Sequence, residues 1–317
     1  MLANVPFLAA MMAGTRELVA AGILSSSLLS VAAPLWETLL VEGTDPEALV
    51  VAYAVPSVIF TVGSSLPFVA GLLVKRYGVV GGYRIVLLVA LAAYLAKTAA
   101  LALKLEEPPR ADPGGRPRSP ARAFVRALRA DRRLLLIVAY NVLSSVISAS
   151  LGYLSLYLTD ERGARLPPDA ASLVPLLSSA ASLATLAAVS LRPPGALYLA
   201  LAASAGAAAY TLYGLSAADP RLAFAAALLS GLRGAEFSVA RACFLGLLGG
   251  ADASVKGQAI SVLYTLSNAI SIPAPAAAGL LYSVHPAYVW LLAAACSLAQ
   301  LALLAALARA RSAARAG

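Results

Sequence analysis

The chain has 317 residues, of which 61% are hydrophobic and only 12% are charged, and its mean hydropathy is +0.83. A soluble domain is roughly half apolar and about a quarter charged, so this composition excludes an ordinary soluble protein. Apolar stretches of about 20 residues recur along the chain, and each is long enough to cross a bilayer as a helix. The formal net charge of +9 does not indicate nucleic acid, because most of the excess lies in one loop and no basic patch is interleaved with aromatic residues.

Metal and disulfide chemistry have little basis in this composition. The two cysteines, Cys243 and Cys296, lie far apart in apolar segments, and His285 is the only histidine. This inventory cannot build a disulfide framework or a Cys/His metal site. We therefore expect the cysteines to be small apolar packing residues, and we expect neither a metal nor a cofactor.

We predict nine full membrane spans preceded by a short N-terminal stub. The stub, residues 1–14, is apolar but too short to span, and it does not resemble a signal peptide. The spans are predicted at 18–41, 49–74, 85–103, 134–158, 171–191, 197–215, 222–248, 258–282 and 288–307. Most connections are short and contain Pro, Gly or Asp, so neighbouring helices should pack antiparallel. The fold class is therefore an all-α integral membrane protein.

One long polar segment divides the chain into a partial N-terminal bundle (1–104), a basic loop (105–133) and a six-helix bundle (134–317). Within the loop, Phe124, Val125 and Leu128 share a helical face opposite several arginines, as in a helix that lies on an anionic leaflet. Lys and Arg concentrate in this loop and at the C-terminus. The positive-inside rule then places both in the cytoplasm of a multi-pass protein of the cell membrane.

An internal repeat relates the two bundles. A shift of 208 residues without gaps aligns 30–32 with 238–240, Pro67 with Pro275, and the run 70–73 with 278–281. Both copies place a proline and a glycine near the same end of the second helix. A repeat on this scale is typical of transporters with duplicated halves.

Two repeated helical bundles joined by a long basic cytoplasmic loop resemble the major facilitator superfamily, which has six helices in each half. The resemblance covers essentially the whole chain and rests on architecture. It implies that the spans after residue 133 are helices seven to twelve and that those before residue 104 are helices four to six. The stub would be the end of helix three, and the first two to three helices would be absent upstream of Met1.

Two pairs of charged residues are candidates for function. Arg233 and Glu236 share one face of a span, and an ionisable group near a helix centre costs roughly 2.5 to 3.5 kcal/mol on insertion scales. The resemblance makes their helix a cavity-lining one, so they could bind substrate or a proton, and a purely structural ion pair is the alternative. Glu37 and Arg241 lie at similar depths in repeat-related helices and could form a gating ion pair, or could reach the headgroup region separately.

Three polar stripes at helical spacing supply further candidates. Each stripe lies on one helical face. The first consists of Gly257, Ser261, Tyr264, Asn268, Ser271 and Pro275, the related stripe in the first half of Tyr53, Ser57, Phe60, Ser64 and Pro67, and the stripe directly after the loop of Asn141, Ser145, Ser148 and Gly152. Small and hydroxylated residues also serve helix packing in lipid, so packing is the alternative for the serines. The asparagines are the stronger candidates for substrate contact, because an amide is costly to bury without partners.

The best functional interpretation is a secondary transporter that moves a small solute by alternating access, by uptake or efflux, with a proton as a candidate coupling ion. No phosphate-binding loop with Gly-Lys-Ser or Gly-Lys-Thr is present, so we expect no ATP-driven transport. The alternative is a truncated, non-transporting relative or a half that needs a partner chain. An intramembrane enzyme is least favoured, because no span carries paired aspartates or a zinc motif. The expected partners are the lipid bilayer and a small-molecule solute, and the complete protein should be a monomer.

Overall fold

The computed structural model describes residues 66–104, 132–191, 196–248 and 253–316, with scattered positions between 8 and 63. The described residues are almost entirely helical and none of them forms a strand, which confirms the all-α prediction. Six segments are long and apolar enough to cross a membrane, which fits a multi-pass membrane protein: Val80–Leu103, Arg133–Thr159, Pro168–Leu191, Leu197–Leu215, Leu222–Leu247 and Ala287–Ala310. The predicted span at 18–41 lies almost entirely, and that at 49–74 partly, outside the described residues, so nine spans remain a prediction.

Helix α1, Leu66–Lys104, includes the end of one predicted span and all of the next. Its helical conformation continues through the predicted connection except at Gly78, whose φ of 74° and ψ of 169° suit only glycine. A methyl group at Gly82 would lie 2.7 Å from the Val74 Cα atom. Residues eight apart in a straight helix are about 12 Å apart. The chain therefore bends sharply at Gly78, as an antiparallel pair of spans requires.

The described residues after 131 form nine helices, which lie at the positions of all six spans predicted after residue 133. They are α2 (Arg132–Leu151), α3 (Leu154–Thr159), α4 (Pro168–Leu191), α5 (Ala196–Leu215), α6 (Leu222–Gly231), α7 (Glu236–Leu247), α8 (Ala253–Ser271), α9 (Pro273–Val284) and α10 (Ala287–Ala316). Three predicted spans are each made of two helices, namely α2 with α3, α6 with α7, and α8 with α9. The last of these pairs is not among the six segments above.

Helix α10 is the centre of the packing, because it contacts α5 on one side and α2 on the other. Helix α4 packs on α6, and α8 and α9 both pack on α2. Among the described residues, the buried side chains form two apolar clusters. One contains Tyr140, Phe244 and Ile260; the other surrounds Trp290, whose ring lies 4.9 Å from that of Tyr213.

Hydrogen bonds tie together the ends of α3, α5 and α9. The Tyr157 hydroxyl donates to the Tyr213 carbonyl oxygen at 2.6 Å, and the Tyr282 hydroxyl donates to Asp160 Oδ2 at 2.8 Å. Asp160 Oδ1 also accepts the backbone N–H of Arg162 at 2.7 Å. The Arg162 N–H and the Tyr282 hydroxyl both lower the pKa of the Asp160 carboxyl. These three helix ends therefore meet on one side of the bundle, as antiparallel packing demands.

Candidate functional site

The Leu222–Leu247 span is broken near its middle, and we call α6, α7 and the turn at 232–235 the broken span. Within the turn, backbone N–H groups donate three residues back, as from Gly234 to Gly231 and from Glu236 to Arg233. The two glycines also let helix α4 approach. A methyl group at Gly231 would collide with Ala181, and one at Gly234 would lie 2.7 Å from the Ser182 Cα atom. Glycine at both positions is therefore needed for α4 to pack against the break.

The break carries the two charged residues that the sequence singled out. Arg233 lies in the turn and Glu236 is the first residue of α7. The Arg233 Nε atom forms a salt bridge with Glu236 Oε2, and each side chain is only 10% exposed. Both sit close to the middle of the span, where uncompensated charge is most costly in a bilayer. The salt bridge neutralises both charges within one turn of the chain.

The other carboxylate oxygen of Glu236 is bound by side chains from two neighbouring helices. Glu236 Oε1 accepts the Tyr140 hydroxyl at 2.8 Å and the Ser144 hydroxyl at 3.1 Å, both from α2. The Gln300 amide on α10 lies 3.4 Å from the same oxygen and donates to Ser144 Oγ at 2.8 Å. The carboxylate is therefore held by hydrogen bonds as well as by the guanidinium.

The Arg233 guanidinium extends toward α5 and α10. Its Nη1 donates to Ser297 Oγ at 3.0 Å, and its Nη2 donates to Gln300 Oε1 at 3.3 Å. The guanidinium carbon lies 5.5 Å from the centre of the Tyr210 ring, a cation–π contact. A methyl group at Gly206 would collide with Arg233, so the missing side chain on α5 makes room for the guanidinium.

These contacts define a set that we call the core network: Arg233, Glu236, Tyr140, Ser144, Ser297 and Gln300. The sequence predicted only the first two. Ser297 and Gln300 are both fully buried, and Tyr140 is 1% exposed. Gln300 carried the one available signal, because an amide inside an apolar span needs hydrogen-bonding partners. The core network lies in the interior of the C-terminal bundle, where it joins α2, α10 and the broken span.

The predicted polar stripes lie elsewhere, on partly exposed faces of α2 and α8. Asn141 is half-buried and its amide donates to the Ile137 carbonyl oxygen of the same helix. Asn268 is half-buried on α8, while Ser148 and Ser271 are exposed. The two serine hydroxyls donate to carbonyl oxygens four residues back in their own helices. None of these four residues belongs to the core network.

Arg241 and Tyr264 are brought together, one from each of two predicted groups. Arg241 is only 3% exposed, and its guanidinium carbon lies 4.7 Å from the Tyr264 ring centre and 5.0 Å from that of Phe237. The predicted gating partner, Glu37, lies outside the described residues, as does Tyr53. The gating pair therefore stays a prediction, while the structure places Arg241 against aromatic rings of α7 and α8.

Comparisons with known proteins add no family to this picture. No family model matches the chain, and no curated protein matches it. Among the residues that the structure describes, no three His, Cys, Asp or Glu side chains come together as metal ligands would.

Proposed function

We propose that this protein is a secondary transporter of the major-facilitator type, which moves a small solute across the cell membrane by alternating access. The observation that carries the proposal is the broken span with a salt bridge at its middle. Interrupted helices and ionisable groups at mid-depth are features of transporter sites. Both are costly in a helix that serves only to cross the bilayer. The role is that of a carrier and not of an enzyme.

The polar stripes of α2 and α8 are the proposed wall of the solute pathway. The stripes lie on two helices that pack together, and part of their surface is not covered by the rest of the C-terminal bundle. A face with serines and asparagines is better placed against a water-filled cavity than against lipid tails. The solute would pass between this wall and the N-terminal helices, with Asn141, Tyr264 and Asn268 as the candidate contacts.

The core network is the proposed coupling element. Its Glu236 carboxylate is held by α2 and by the broken span, so a change in its charge would alter the contacts between these two elements. A proton is the candidate coupling ion. In this proposal the long loop and the C-terminus face the cytoplasm, and Arg241 with Glu37 forms the gate.

Cysteine labelling tests whether the stripes face water. In a background with Cys243 and Cys296 replaced by alanine, Ser145→Cys, Ser148→Cys and Ser271→Cys should react with a membrane-impermeant maleimide in sealed vesicles. Alternating access predicts reaction from either side of the membrane. The matched control is Leu298→Cys, an exposed apolar position on α10 that should face lipid and stay unreactive. If the stripe cysteines were as unreactive as the control, the proposed pathway would be wrong.

A further inference from the structure

We propose that Tyr198 is the positioning residue that stabilises the turn of the broken span and so places Arg233 and Glu236 in the core network. The inference rests on the proposed function, because it concerns the element assigned to coupling. Tyr198 is half-buried near the start of α5. Its hydroxyl donates to the Leu232 carbonyl oxygen at 2.8 Å and accepts the Ala235 N–H at 3.1 Å. One hydroxyl therefore bonds to both ends of the turn.

These two backbone groups are the ones that a break in a helix releases. In a continuous helix the Leu232 carbonyl would accept the N–H of Glu236, and the Ala235 N–H would donate to Gly231. Here the Glu236 N–H donates instead to the Arg233 carbonyl oxygen. The hydrocarbon of a bilayer cannot hydrogen-bond to released backbone groups, so these groups need partners within the protein. The Tyr198 hydroxyl satisfies one acceptor and one donor at once.

The position of the turn determines where the charged side chains point. Arg233 lies between the two residues that Tyr198 binds, and Glu236 follows them directly. If the turn returned to regular helical bonding, the side chains on its two sides would rotate relative to each other. The contacts of Glu236 with Tyr140 and of Arg233 with Ser297 would then be lost together. Tyr198 thus acts on the core network through the backbone. Its two hydrogen bonds go to main-chain groups and not to the side chains of Arg233 and Glu236.

A stability cycle tests this role without any solute. We would compare Tyr198→Phe in the wild-type background and in the neutralised variant, which carries Arg233→Met with Glu236→Gln. The readout is the melting temperature of the purified full chain in detergent. Positioning predicts a loss of about 5 °C or more in the wild type, and a clearly smaller loss in the neutralised variant, because no charged pair then depends on the turn. Tyr288→Phe, at an exposed tyrosine of α10, should leave the melting temperature unchanged in both backgrounds.

Each result decides the proposal. Equal losses in both backgrounds would mean that Tyr198 only stabilises the fold, and no loss in the wild type would remove any role; either overturns the inference. If Tyr198→Phe yields no folded protein in the wild type but folds in the neutralised variant, the same dependence is shown in a stronger form. Failure to fold in both backgrounds would overturn it. Cysteine labelling of the stripes is independent of this cycle, so the two proposals can fail separately.

Discussion

Removing one member of the buried salt bridge should cost far more stability than removing both. Arg233→Met leaves the Glu236 carboxylate at 10% exposure without its counter-charge and frees Ser297 and Gln300 of their guanidinium contacts. Breaking a buried pair in this way costs about 3 to 5 kcal/mol. Glu236→Gln keeps the shape of the side chain but leaves the Arg233 guanidinium without its counter-charge, so it should destabilise the protein by a similar amount. The neutralised variant should lose less than either single variant, since it buries no uncompensated charge.

The free energy of unfolding, measured by SDS titration in mixed micelles with circular dichroism, gives these costs directly. The control pair is Glu161→Gln and Arg162→Met, whose side chains are exposed in the loop between α3 and α4 and should contribute within about 0.5 kcal/mol. A cost below about 1 kcal/mol for Arg233→Met would refute the buried salt bridge. So would a neutralised variant whose loss equals the sum of the two single losses. The proposed function also predicts that Glu236→Gln abolishes proton-coupled transport in vesicles while membrane insertion persists.

Two further predictions concern single contacts. Gly206→Ala should lower the melting temperature because the new methyl group displaces Arg233, whereas Gly214→Ala on the same helix meets only ordinary contacts, the nearest at 3.6 Å, and should be neutral or stabilising. A lower loss for Gly206→Ala than for Gly214→Ala would contradict the description of the guanidinium site. Asp160 has a lowered folded pKa, so its stabilising contribution is present above the unfolded value of 3.8 and is lost as pH falls through the folded value. The melting temperature of wild type should therefore exceed that of Asp160→Asn at pH 6, and the difference should vanish in strong acid; a difference that persists there would exclude this linkage.

The spans of the C-terminal bundle were predictable because hydropathy alone separates apolar segments of membrane length from polar connections. Helices occupy all six predicted positions, although α8 begins at Ala253 and α10 extends to Ala316. The interruptions were not predicted. Gly231 and Gly234 are ordinary residues for a membrane helix, and only the structure shows their close contacts with α4. Such contacts depend on tertiary packing, which the local sequence does not encode.

The candidate site was predictable in its charged pair and not in its surroundings. Spacing of three residues was enough to place Arg233 and Glu236 side by side. Their uncharged partners come from α2 and α10, and a tyrosine or serine in an apolar span has many possible roles. Tyr198 was missed for the same reason, since its hydroxyl binds backbone groups that are free only because the helix is broken. The polar stripes were visible from their periodicity, but periodicity did not show that they lie apart from the charged pair.

The three-residue spacing of Arg233 and Glu236 also matters while the chain is being synthesised. Synthesis proceeds from the N-terminus, so segments nearer the N-terminus emerge first and can fold first. The broken span therefore inserts before α10 exists, and Ser297 and Gln300 join it only when the last helix arrives. During that interval two charges at mid-depth would each carry an insertion penalty of roughly 2.5 to 3.5 kcal/mol if they were separate. Because Arg233 and Glu236 lie within one turn of each other, the nascent span can neutralise itself, and the final helix completes a site that is already electrically balanced.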